Sequence, residues 1–154
     1  MAISRGAGTE IIRTAMFEDI NNSGQNLIIG EQHHIYTVLS IICRNNAQNA
    51  SEKGSLRIVG WDAFAASSAS PTNDSFHFAV FQCAVNETYV WNDKFSFNGY
   101  EPDASAMTDA LSTAAEQNAI ADQGGSQAQF LNFYTDGANT KYDVIVTYID
   151  QNNS

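Results

Sequence analysis

Apolar and polar residues alternate along most of this chain with the two-residue period of a β-strand. The longest apolar run, His33–Asn45 (HHIYTVLSIICRN), is different. Ile35, Thr37, Leu39, Ile41 and Cys43 share one parity, while Tyr36, Val38, Ser40 and Ile42 share the other, so neither side is a polar face. The density of Tyr, Thr, Val and Ile favours a pleated strand over a helix. The pattern predicts a central strand covered on both faces.

Around it the pattern predicts further strands over Ile11–Ile20, Leu27–Ile29, Leu56–Trp61 and Phe76–Val85, and one or two short ones within Tyr89–Phe97, interrupted at Asn92-Asp93. Turn formers separate several of these, as at Asn21-Asn22-Ser23-Gly24 and Asn86-Glu87, and Ala65–Asp74, with Pro71 inside it, reads as a loop. Ala128–Tyr134 and Tyr142–Ile149 flank Asp136-Gly137-Ala138-Asn139 and read as a closing hairpin. Asp103–Gln123 differs: Met107, Leu111 and Ala115 recur every fourth residue between a plausible N-cap, Asp103, and Gly124-Gly125. A short helix or an ordered surface loop both suit that insertion, which extends to Gln127. The expected fold is all-β: an antiparallel β-sandwich of jelly-roll or immunoglobulin-like type with seven or eight strands. Residues 1–10 (MAISRGAGTE) have no apolar face and read as an N-terminal arm, leaving 11–154 as one domain.

Composition narrows the function classes. The chain has 154 residues, 44% of them hydrophobic, enough for one self-sufficient core. Seven Lys and Arg against 17 Asp and Glu give a net charge of −10. The imbalance is local, because residues 58–154 hold two basic side chains, Lys94 and Lys141, against twelve acidic ones. Such a surface disfavours nucleic acid and anionic membranes as partners. No run reaches the roughly eighteen apolar residues of a membrane span. The first residues lack the apolar core of a signal peptide, so a cytosolic chain with reduced cysteines is expected.

Candidate chemistry is sparse. His33 and His34, as strand neighbours, point to opposite faces and cannot share one ion, and His77 stands alone, so structural roles are expected and no metal. Cys43 and Cys83 end two strong strands; as nucleophiles each would need a base and some exposure, whereas the core needs only their small apolar bulk. If their strands pair, a bridge on oxidation stays open. The acids Asp93, Glu101, Asp103, Asp109, Asp136, Asp143 and Asp150 are spread singly, with no calcium-loop spacing. No hydrolase, phosphate-loop or dinucleotide motif occurs, so neither enzyme activity nor a cofactor is expected. Trp61, Tyr89, Trp91 and Tyr100, with Asn92 and Asp93 nearby, could instead stack sugars as a glycan-binding platform, or fill the core.

Two segments resemble a known family. Leu39-Ser40-Ile41-Ile42-Cys43 with Asn45, and Glu87-Thr88-Tyr89-Val90-Trp91-Asn92-Asp93-Lys94-Phe95, are similar to segments of small β-sandwich virion structural proteins of tailed bacteriophages of the marine phage and cyanophage type. The strand Tyr142–Asp150 looks like their closing strand, and the likeness spans most of 25–102 and 141–150. The Asp103–Gln127 insertion departs from it. The resemblance implies a non-enzymatic particle component: a capsid decoration or cement protein, or a neck, tail or baseplate accessory. Its partners would be major capsid or tail and neck proteins and copies of itself, and its location the virion, assembled in the host cytoplasm. Arg5 and Arg13 beside an acidic body would then be protein-interaction residues. A glycan-binding module for host attachment is the alternative.

Overall fold

The computed structural model describes residues 8–47, 51–62, 72–100 and 128–153, the side chains at 61, 62, 72 and 73 excepted. The strands among them are β1 (Thr9–Ile20), β2 (Gln25–Ile29), β3 (His34–Asn45), β4 (Lys53–Asp62), β5 (Thr72–Gln82), β6 (Thr88–Trp91), β7 (Phe95–Asn98), β8 (Phe130–Thr135) and β9 (Tyr142–Asn152). They form two antiparallel sheets packed as a sandwich. One sheet runs β1-β9-β3-β6, with β7 also paired to β3, and the other runs β2-β8-β4-β5. The described residues are therefore all-β, as expected. The helix weighed for 103–123 lies outside the described residues.

β3 is central, yet it is not buried on both sides. Its pairing with β9 slips by one residue between Val38 and Ser40. Such a bulge inverts the parity of everything beyond it. Tyr36 and Val38 point inward before the slip, and Ile41, Cys43 and Asn45 after it. Ile35, Thr37 and Leu39 are half-buried on the outer face, where Ile42 is exposed. The two apolar parities of the run are thus one inner face divided by a bulge, together with an outer face that is apolar and uncovered by the described residues.

The closing hairpin is also overturned. β8 pairs with β2 and β4, whereas β9 pairs with β1 and β3, so the Asp136–Asn139 turn carries the chain from one sheet to the other. Turn residues report that the chain reverses, and the choice of sheet comes from where each apolar face can be buried. Here Phe133 and Tyr142 meet across the core with ring centroids 5.3 Å apart, and Phe81 stacks on Tyr89 at 3.9 Å. Leu56 and Leu131 from one sheet, with Val38, Ile41, Val144 and Val146 from the other, complete a fully buried centre. Cys43 and Cys83 are buried free thiols. β3 and β5 lie in different sheets, so the strands that bear or precede these cysteines do not pair.

β1 begins at Thr9, paired with Asn152, and Glu10 pairs with Gln151, so the last two residues of the expected arm belong to the sandwich. At the end of the sandwich near His34, two backbone segments cross. Gly30 N–H donates to Gln129 O at 2.9 Å, Gln129 N–H to Gly99 O at 2.8 Å, and Gly99 N–H to His34 O at 2.8 Å. A Cβ on Gly30 would collide with the carbonyl of Gly99, and one on Gly99 with the backbone of Glu31. Backbone cannot step aside as a side chain can. Gly30→Ala and Gly99→Ala are each expected to lower the stability of the domain by about 2–3 kcal/mol, read as a lower urea midpoint at unchanged slope.

Candidate functional site

Two arrangements could carry a function: a buried polar node joining β1, β9 and β3, and the outer face of the same sheet. Asp150 on β9 is opposite Ile11 of β1 on one side and Tyr36 of β3 on the other. That register lets the diagonal neighbours Arg13 and His34 reach its carboxylate from both flanks. Arg13 Nε donates to Oδ2 at 3.0 Å, and His34 Nδ1 lies 2.7 Å from Oδ1. An ionised carboxylate only accepts, so Nδ1 carries the proton. His34 Nε2 lies 3.6 Å from Glu31, whose backbone N–H donates to Tyr36 Oη at 3.0 Å. The Asp150 side chain is 3% exposed, and a buried carboxylate is tolerated only when paired in this way.

The node clamps β1, β9 and β3 together. It contains no thiol or aliphatic hydroxyl, and burial pushes the Tyr36 phenol well above its ordinary value, so that group stays protonated. Among the described residues no group of three or more His, Cys, Asp and Glu could hold a metal ion. His33, at a φ of 61°, belongs to the turn that delivers His34. His34 thus serves to hold Asp150 from the β3 side.

The outer face is built in cross-strand rows. Met16, Ile145, Ile42 and Val90 are register partners across β1, β9, β3 and β6. Thr14, Thr147 and Ser40 form the next row, and Ile12, Ile149, Thr37 and Ser96 another. Met16 is 74% exposed, Ile12 69%, Val90 50% and Ile42 37%, although an ordinary solvated sheet face would be polar at these positions.

Among the described residues, the interaction and glycan residues singled out in the sequence are placed as follows. Arg5 lies outside the described residues, and Arg13 pairs within the chain with Asp150. The Trp61 side chain is also outside them. Tyr89 and Trp91 share the inner side of β6 because they oppose Cys43 and Ile41. Tyr89 stacks on Phe81, and Trp91 packs against Phe78 at 5.0 Å while its Nε1–H donates to Asp93 O at 2.8 Å. Tyr100 is half-buried and bridges to Ala128 through its backbone. The Tyr89 and Trp91 rings are half-buried on the flank of the core. The rows of the outer face were invisible in sequence, since they depend on the register of four strands.

No protein-family model matches this chain, and no curated protein matches it. A solved structure described as "Bacillus endospore appendages form a novel family of disulfide-linked pili" aligns over 100% of this chain and 97% of its own, with a TM-score of 0.41 and 8% identity. At that level of similarity the alignment supports no conclusion about this chain.

Two outcomes follow from the node and the core. Asp150→Ala strands the His34 imidazole and the Arg13 guanidinium, and is expected to cost about 2–3 kcal/mol, while Asp150→Asn costs less because it keeps an acceptor; urea unfolding measures both. The second concerns alkali. Burial raises the Cys43 thiol and the Tyr36 and Tyr142 phenols above their ordinary values. The unfolded chain therefore loses these protons first. The stability contribution is intact below the unfolded values, about 8.5 for thiol and about 10 for phenol, and is lost as pH rises from there toward the folded ones. The urea midpoint is expected to fall steadily between about pH 9 and 11.

Proposed function

We propose that the protein is a structural subunit, acting by contacts with copies of itself and with neighbouring proteins rather than by catalysis. The observation that carries this reading is the apolar row Met16–Ile145–Ile42–Val90 on the outer face of the five-stranded sheet, exposed at Met16, Ile42 and Val90 and half-buried at Ile145. Side chains of this kind are costly to leave in water and gain about 1.5–3 kcal/mol each when an interface covers them. The hydroxyl row beside it adds polar contacts without charge, which suits the core of an interface.

Within that class the particular reading is a component of a tailed-phage particle, either a head decoration or a neck, tail or baseplate accessory. It rests on the resemblance of His33–Asn45 and Glu87–Gly99 to phage virion segments. That these segments pair as β3 with β6 and β7 makes them one continuous piece of sheet. The virion would be its location and the major capsid or tail proteins its partners.

Association is tested by sedimentation velocity. Met16→Glu combined with Ile42→Lys is expected to weaken self-association by roughly tenfold or more, with the thermal melt of the domain unchanged. If the doubly substituted chain associates as the native one does, the outer face is not the contact. The particle reading has its own check: peptides of this chain are expected in purified virions by mass spectrometry, and their absence would remove that reading while leaving the association result intact.

A further inference from the structure

The outer face of the other sheet carries a single polar row that spans all four strands. Asn26 of β2 opposes Asn132 of β8, Asn132 opposes Arg57 of β4, and Arg57 opposes His77 of β5. The row is wired in one direction. Arg57 Nε donates to Asn132 Oδ1 at 2.8 Å, and Asn132 Nδ2 donates to Asn26 Oδ1 at 2.8 Å. A guanidinium only donates, so it fixes which way the Asn132 amide faces. The Tyr134 ring lies beneath the guanidinium, 5.3 Å from its centre, and holds the plane of the fork. His77 is oriented as well, with Nδ1 2.5 Å from the hydroxyl of Ser55.

Unlike Arg13, which binds Asp150, and Lys141, which lies 3.7 Å from Asp19, Arg57 has no carboxylate partner among the described residues. Arg44, Lys53 and Lys94 share that lack among the described residues; Arg57 differs in being held by both an amide and an aromatic ring. Its Nε–H is spent on Asn132, which leaves the two Nη groups, the part of the fork that matches two oxygens at once. A guanidinium held from behind and from below, with an imidazole on the adjacent strand, is organised before any ligand arrives.

We propose that Arg57, positioned by Asn132 and Tyr134 and flanked by His77, is a binding site for a carboxylate. One fixed cation matches a planar monoanion. A phosphate dianion would need more positive charge than this row supplies against a body of net charge −10. The site lies on the opposite sheet from the proposed association face, so its test does not depend on that reading.

The test is an NMR titration of the full chain with sodium acetate, and separately with phosphate, at ionic strength held constant with chloride. The Arg57 Nε–Hε resonance and the His77 and Tyr134 ring signals are expected to move together and saturate with acetate. In Arg57→Gln the saturable response of the rings should vanish. In Arg57→Lys, which keeps the charge and loses the fork, binding should weaken about tenfold, and Asn132→Ala should weaken it several-fold with the amide spectrum otherwise native. Should Asn132→Ala fail to fold, the two Arg57 variants decide alone. Linear shifts equal to those in chloride, or undiminished binding by Arg57→Lys, would overturn the site. Saturation by phosphate at lower concentration than acetate would overturn the carboxylate assignment.

Discussion

Between Val38 and Ser40 the pairing of β3 with β9 slips by one residue, and both sides of the five-stranded sheet are arranged around that slip. Strand parity is strict, so without the extra residue Ile41, Cys43 and Asn45 would face outward and Ile42 and Arg44 inward. Asn45 shows what the slip secures. Its Nδ2 donates to Cys83 O at 2.9 Å and its Oδ1 accepts from Ala47 N–H at 2.9 Å, so a buried amide satisfied at both ends ties β3 to the segment leaving β5. The same slip brings Ile42 to the outer face, where it completes a row with Met16, Ile145 and Val90. Core and outer face are two consequences of one irregularity.

The Asp150 clamp acts at the other end of β3. It joins the edge strand β1 to the centre through Arg13 and His34, in a region where the core thins and the backbone crossing of Gly30 and Gly99 leaves no room for side chains. Apolar packing holds the middle of the sandwich, and a paired buried charge with close backbone contact holds this end. The division follows from geometry: where two segments touch backbone to backbone, little apolar surface is left to bury, and hydrogen bonds must carry the fit.

Strands with a regular period were readable from residue types alone. β1, β3, β4 and β5 follow the apolar runs, and the break at Asn92-Asp93 correctly divides β6 from β7. What escaped was whatever depends on pairing. A bulge leaves the apolar count of a run unchanged, so β3 read as buried twice over. The turn at Asp136–Asn139 looks the same whether the chain returns to its own sheet or crosses to the other. Neighbours in the row Asn26–Asn132–Arg57–His77 stand 106, 75 and 20 positions apart in sequence, and nothing in that spacing announces it. Arg13 was legible as a basic residue near an acidic body, but not as the partner of an acid 137 positions away.

The two outer faces differ in chemistry. One presents Ile, Met and Val beside Thr and Ser; its formal charges sit at the ends, as with Glu10 opposite Gln151 and Arg44 opposite Asp143. The other centres on a cation held by amides and an aromatic ring. An apolar contact gives affinity with little direction, whereas a fixed guanidinium fork gives direction with modest affinity in water. The edges are managed separately. β1 carries Glu10, Arg13, Glu18 and Asp19 along its length, and its register breaks between Phe17 and Ile20, with Asp19 at a φ of 55°. Charge and a bulge on an edge strand oppose open-ended pairing with a further strand. The sandwich is thus guarded at this edge and apolar on the face beside it.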